Sequence, residues 1–326
     1  MKSLSARIKN RIRMTVDNFS SDSQISYTLA FCRLADDLLS RIGLKKLSEY
    51  FHKKKENWIS LYLENLLADI ILKYKDDNYT GKFSMEQPIW VCWWAGEETA
   101  PELVKQCIKS IRKQAKDHPV VLINQDNYIE YLNIPDYIIN KLNDKHMGIA
   151  NFTDYLRFAL LEKYGGIWLD STIFVKEALP DSYFEESLFT CKSPEIDGGY
   201  VSRYRWTSFC FAGWKHNVLF RFFKDSFQQY WKNHNAAIDY LFVDHLIDIA
   251  YRNISSVKEQ IDNVPINNIH RDDLQAAMNA ALPASSFNDI ISPDTVLYKL
   301  SWRETYSEIA VNDEKSVYKH FLDLDF

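Results

Sequence analysis

Two short apolar runs, 88–93 and 119–124, flank a proline-led helical pattern over 101–116, and that order leaves few folds open. Neither run shows the polar alternation of a half-exposed strand, so both suit strands covered on two faces. Strand, helix and strand in succession predict a parallel pair, because parallel neighbours need a crossover between them. Pro101 stands where a helix loses nothing by lacking an N–H. Further helices are predicted over 135–143, 151–164, 217–233, 236–251 and 272–281. Further strands are predicted over 167–169, 188–191, 207–211 and 296–300. The expected fold class is α/β.

Residues 1–80 carry no proline and read as helical, with apolar residues at three-and-four spacing over 25–42 and 45–74. Asp76, Asp77, Asn78 and Gly81 interrupt the pattern. The expected division is a helical region over 1–80 and an α/β domain over 81–326. The helical region holds basic clusters: Lys2, Arg7, Lys9, Arg11 and Arg13, then Lys45 and Lys46, then Lys53, Lys54 and Lys55. These suit either a solvated helix face or an electrostatic foot on an anionic membrane.

The net charge of −5 speaks against a nucleic-acid binder, which needs a basic excess. The five cysteines (Cys32, Cys92, Cys107, Cys191 and Cys210) are odd in number and include no C-x-x-C. Neither a disulfide framework nor a zinc–thiolate site is expected, and a reducing compartment fits. The basic start is not followed by the apolar stretch of a secretory signal. No run approaches the roughly 18 apolar residues of a membrane span. The expected location is cytoplasmic, with any membrane contact peripheral, at the inner face.

The chemistry concentrates between residues 151 and 172, N-F-T-D-Y-L-R-F-A-L-L-E-K-Y-G-G-I-W-L-D-S-T. Asp154 and Arg157 share a helix face. Gly165 and Gly166 permit a tight reversal. Asp170 then falls just past the carboxyl end of a buried strand, the edge where open α/β sheets bind ligands. A carboxylate there can hold a divalent cation against a diphosphate, or accept from sugar hydroxyls. Asp154 can accept from ribose or base, and Arg157 can donate to sugar or phosphate oxygens. Taken singly, the first two make an ordinary helix ion pair and Asp170 a turn cap; the combination points to a site.

Y-G-G-I-W-L-D-S-T resembles the Y-G-G-x-[YW]-x-D-x-D/T segment of glycosyltransferase family 32, which includes capsular polysaccharide synthesis proteins. Large clostridial toxin glucosyltransferases look like distant relatives. In that group an Asp-x-x-Arg pair precedes the first aspartate of the D-x-D motif by sixteen residues, the spacing of Asp154 and Asp170 here (170 − 154 = 16). The resemblance spans roughly residues 87–305 and is specific only around 150–172. It implies a GT-A fold with a Rossmann-like, mixed, mostly parallel sheet. It also implies a nucleotide-sugar donor, expected to be UDP-linked, and retention of anomeric configuration. Trp94 and Gly96 match the family's W-x-G, where the Trp stacks on the nucleobase, a contact worth about 1–3 kcal/mol. Ser301 and Trp302 match its terminal S-W, which closes over the diphosphate.

The sequence departs from the motif at Thr172, which stands where the second aspartate is usual. The expected metal ligands are thus Asp170 and Thr172, for Mn or Mg, and the requirement is expected to be weak. Lys299 is expected to supply part of the phosphate neutralisation, and Gly166, Ser171 and Thr172 to border the donor. The expected catalytic residues are Asp170, Asp244 and His245, the last two on a mostly apolar helix where charge is costly without a task. Asp244, Asp248 and Arg252 also fit a solvated stripe at i, i+4 and i+8. A loop through Gly198, Gly199, Tyr200, Arg203 and Arg205 is expected on the acceptor side. The acceptor is expected to be a saccharide or lipid-linked oligosaccharide in capsule or surface-polysaccharide assembly. Two other readings stand beside this one. A metal-dependent nucleotidyl- or phosphotransferase needs more clustered carboxylates. The other is a non-catalytic sugar-nucleotide-binding module.

Overall fold

The computed structural model describes residues 15, 19–20, 22–196, 200–282, 287, 290–311 and 313–326. The basic residues Lys2, Arg7, Lys9, Arg11 and Arg13 lie outside the described residues, as do Gly198 and Gly199. The first helices are α1 (Tyr27–Arg41), α2 (Lys45–Leu66) and α3 (Ala68–Tyr74). Ser26 caps α1, its Oγ accepting from the N–H groups of Thr28 and Leu29. The continuous helix expected over 45–74 breaks at Leu67, whose φ of −102° leaves the helical range.

Next come β1 (Ile89–Cys92), α4 (Glu102–Gln114), β2 (Val120–Ile123), α5 (Tyr128–Tyr131), α6 (Asp136–Asn143) and α7 (Ile149–Tyr164). They lead into β3 (Gly166–Leu169), β4 (Ile173–Val175), α8 (Ser182–Glu185), β5 (Leu188–Thr190) and β6 (Cys210–Gly213). The chain finishes through α9 (Val218–Asn233), α10 (Phe242–Asn253), α11 (Ser255–Asn263), α12 (Asp273–Ala277), β7 (Leu297–Lys299) and α13 (Val317–Leu322).

The main sheet has the order β2-β1-β3-β6-β5. β1 runs parallel to β2 and β3, while β6 is antiparallel to both β3 and β5. Four of the five strands therefore share one direction, and β6 alone is reversed. This is the mixed, mostly parallel α/β sheet that the resemblance implied. β4 and β7 form a separate antiparallel pair with Ile173 opposite Lys299.

The sheet is the middle layer. Trp90, Trp168 and Phe211 enter one core with α7, α9 and α10, and Leu29, Ile59, Leu63 and Leu67 of the N-terminal helices join it. The alternate residues Ile89, Val91, Ile167, Leu169 and Ala212 enter a second core with α4 and the β4–β7 pair. Burial on both faces is why these strands read as unbroken apolar runs.

Two elements start later than the sequence reading has them because a side chain holds the backbone, and one lysine of the basic cluster is not exposed. The helix expected from 236 begins at Phe242, because Asp239 Oδ1 accepts the Leu241 N–H at 2.9 Å and holds a turn there. The strand expected over 207–211 begins at Cys210, since Thr190 Oγ1 bonds the Thr207 N–H and carbonyl. Lys55 turns inward, away from Lys53 and Lys54, to ion pairs with Glu56 at 2.9 Å and Asp239 at 3.4 Å.

The glycine pair is the hinge between α7 and β3. Gly165 has φ +74° and Gly166 φ +90°, backbone that other residues seldom adopt. A Cβ on Gly166 would lie 2.1 Å from the Pro88 carbonyl oxygen. Gly166→Ala is therefore expected to cost about 3 kcal/mol or more, as strain and overpacking add. Denaturant unfolding checks this; a loss under about 1 kcal/mol would mean that the strand entry yields easily.

Candidate active site

Helix and strand rises explain why three residues of the motif meet. Arg157 lies eight residues before Gly165, about 12 Å along α7. Asp170 lies four residues after Gly166, about 13 Å along β3. A chain that reverses at the glycines thus brings Arg157 back level with Asp170. The Arg157 fork divides between two acids, one Nη donating to Asp154 Oδ1 at 2.7 Å and the other to Asp170 Oδ1 at 3.1 Å. Its side chain is 5% exposed, against 28% for Asp170. Arg157 also stacks over the Trp168 ring, 5.0 Å from its centre.

Trp168 Nε1 donates to Asp170 Oδ1 at 3.0 Å. The sequence reading missed this residue. The signal was present, since residues two apart on a strand share a face. Lys299 arrives from β7, its Nζ donating to Asp170 Oδ2 at 2.8 Å and to Thr172 Oγ1 at 2.7 Å. The backbone secures that approach: the Leu300 N–H donates to the Thr172 carbonyl, and the Lys299 N–H to the Arg271 carbonyl. Ser171, like Thr172, is buried.

The expected metal set is one carboxylate and one hydroxyl, and both already accept from the same ammonium. Among the described residues Asp170 and Thr172 belong to no group of three acid, His or Cys ligands; Glu56, Asp239 and His245 form such a group elsewhere. A resident Mn or Mg takes several oxygen ligands, with carboxylates offsetting its charge. The described residues at 170 and 172 do not fit one, and Lys299 bridges the two positions instead.

The net shifts of the two acids are opposite. Burial raises the Asp154 carboxyl to about 6 despite Arg157 beside it. At Asp170 burial pulls the same way, but Lys299 and Arg157 outweigh it and hold the carboxyl below its ordinary value.

The remaining expected residues are spread around this centre. Trp94 and Gly96 follow β1, whose carboxyl end lies beside that of β3. The half-buried Trp94 ring packs against Tyr128 and Phe152, with centres 5.4 and 5.2 Å away. Trp302 meets the edge of Trp93 at 5.6 Å, and the Ser301 N–H donates to Gln275 Oε1 at 2.7 Å. Gly166 sits at the far end of β3 from Asp170, against Pro88, where its role is in the backbone.

Asp244 is buried rather than part of a solvated stripe, because Trp206 covers it and donates through Nε1 at 2.8 Å. Burial raises its carboxyl to about 7, and it lies close enough to Asp154 and Arg157 to feel both charges. His245 turns the other way. Its Nε2 is 3.5 Å from Glu56 Oε2, and neither atom has a hydrogen-bond partner among the described residues. Burial lowers the His245 pKa, though Glu56 and Asp239 pull it upward.

The profile of the capsular polysaccharide synthesis protein family matches residues 41–321. The chain belongs to that family. The matched span takes in α2, the whole motif and Lys299. No curated protein matches this family member. Among solved structures, the PaToxG glycosyltransferase has 13% identity and a TM-score of 0.40, covering 66% of this chain and 83% of that one. The apo WbbM bifunctional glycosyltransferase has 12% identity and a TM-score of 0.36, covering 73% of this chain and 49% of that one.

Two raised carboxyls set a pH dependence. In the window from about pH 4 to about 7, folded Asp154 and Asp244 keep protons that the unfolded chain has released, so their contribution to stability is lost as pH rises. Asp244→Asn keeps an acceptor for Trp206 and removes one titration. The melting temperature of the wild type is expected to fall more than that of the variant between about pH 5 and about pH 8. Equal falls would show that Asp244 does not titrate there.

Proposed function

We propose that this glycosyltransferase moves a hexose, with retention of configuration, from a UDP-linked donor to a saccharide acceptor in capsule or surface-polysaccharide assembly. The observation that carries the reading is the Arg157 fork joining Asp154 and Asp170 at the carboxyl edge of β3, with Lys299 on the free oxygen of Asp170. In the proposed complex Asp154 and Arg157 hold the sugar and ribose hydroxyls. Trp94 faces the base, and Ser301 and Trp302 border the diphosphate.

In the transfer the bond between the anomeric carbon and the diphosphate oxygen breaks. The acceptor hydroxyl bonds to that carbon from the same face, and its proton passes to the leaving oxygen. This route calls for no separate base. The protein's task is to stabilise charge developing on the diphosphate. Lys299 suits that task, and Arg157 offers an Nε that is buried without a partner. Asp170, held anionic, faces the positive charge on the anomeric carbon.

The phosphotransferase reading needs metal-holding carboxylates, and Asp170 is instead flanked by two cations. A binding module would need no charged group kept ready beside the reacting bond. No described helix is long and apolar enough to cross a membrane. For location we propose the cytoplasmic side, with Lys45, Lys46, Lys53 and Lys54 exposed for a peripheral contact.

A panel of sugar nucleotides tests the donor, read by melting shift and by nucleotide release. Asp170→Asn is expected to keep the fold by circular dichroism and to lower transfer roughly 10²–10³-fold, as when a transition-state contact is lost. Full activity in that variant would take Asp170 out of the mechanism, and no transfer by the wild type from any donor of the panel would return the protein to the binding-module reading. Lys299 is proposed to replace the metal, so EDTA is expected to leave donor binding and turnover largely intact, while Lys299→Ala lowers turnover roughly 10²-fold. The opposite pattern, EDTA-sensitive and Lys299-independent, would refute it.

A further inference from the structure

A cleft of about 560 Å³ opens between α2, the 200–205 loop and α10. His245 and Arg205 line it, and Arg205 stacks on Trp206, which bonds Asp244, the residue before His245. We infer that this cleft receives the acceptor, and that the acceptor is a saccharide bearing an oxyanion, either a carboxylate or a phosphate. Calling the ligand an acceptor rests on the transferase reading; its negative charge is argued from the cleft alone.

Four fixed cations, Lys53, Arg203, Arg205 and Arg252, face two carboxylates, Glu56 and Asp248. Asp248 is engaged through both oxygens, Glu56 through one. Asp248 accepts from Arg205 at 2.9 Å and from Arg252 at 2.7 Å. Glu56 pairs with Lys55 at 2.9 Å. Among the described residues Lys53 has no ion-pair partner, and Arg203 reaches Glu195 only at 3.9 Å. Arg252 pairs as well with Glu64, so the positive charge without a close partner is that of Lys53 and Arg203, two long side chains able to close on an oxyanion. The exposed Tyr200 ring, with Asn57 and Ser60, offers the flat and polar surface that a sugar needs.

The loop is held in shape for such a task. Arg203 and Tyr204 both have left-handed backbone, φ 47° and 64°, which side-chain-bearing residues seldom take. Arg205 stacks on Trp206 and Tyr251, 4.7 and 4.3 Å from their centres. Trp206 in turn bonds Asp244. Tyr204 lies under Arg271, whose carbonyl takes the Lys299 N–H. One short loop thus touches both the cleft and the residue that carries Lys299.

The test uses the whole protein with its donor site filled by saturating UDP. Calorimetry then compares three probes: a glucuronic acid-terminated disaccharide, a disaccharide 6-phosphate, and neutral lactose. At least one anionic probe is expected to bind about tenfold tighter than lactose, and which one does so distinguishes carboxylate from phosphate. In the Lys53→Gln/Arg203→Gln double variant, both changes being on exposed side chains, that preference is expected to fall towards unity. Equal binding of all three probes, binding of none, or a preference that survives in the double variant overturns the inference. The UDP titration made first reports on the donor reading by itself, so failure there is told apart from failure of the cleft.

Discussion

Arg157 is the group on which the site depends. It is a buried guanidinium with two carboxylates, Asp154 and Asp170, on its two ends. Removing one partner from a buried pair leaves an uncompensated charge, at a cost of about 3–5 kcal/mol. The arrangement therefore resists loosening, and it keeps Asp170 in one orientation. It also demands exact alignment of α7 and β3. A shift of one residue along α7 would rotate Arg157 by about 100° and carry it off the sheet edge. The glycine hinge and the close approach of Gly166 to Pro88 secure that alignment.

Lys299 completes the balance from the other side. Two cations and two acids make a nearly neutral group in the absence of substrate. Under the proposed function, an arriving diphosphate would draw Lys299 and the Nε of Arg157 towards itself without requiring that a bare charge be buried beforehand. Asp154, with its raised carboxyl, is the member whose charge yields most easily.

A second polar group ties the N-terminal helices to the transferase edge. Arg33 of α1 and Lys55 of α2 both reach Asp239, just before α10. That anchoring sets α10, and with it Asp244 and His245, between the motif and the cleft. Lys55, expected in a basic face, is thereby turned into an internal tie. The helical region is integral to the same core as the sheet, through Ile59, Leu63 and Leu67.

What the sequence determined by itself is local. The rises of helix and strand are regular, so the sixteen residues from Asp154 to Asp170, reversing at two glycines, already imply that the acids and Arg157 meet. The unbroken apolar runs at β1 and β2 likewise implied a parallel sheet covered on both faces. Tertiary structure decided what stands opposite. Lys299 lies 129 residues from Asp170 and reaches it only because β4, three residues long and too short to show a period, pairs with β7. The burial of Asp244 under Trp206 and the inward turn of Lys55 have the same origin. Periodicity tells which face of an element is apolar, but only packing brings a distant side chain to it, and a buried charge takes its state from that neighbour.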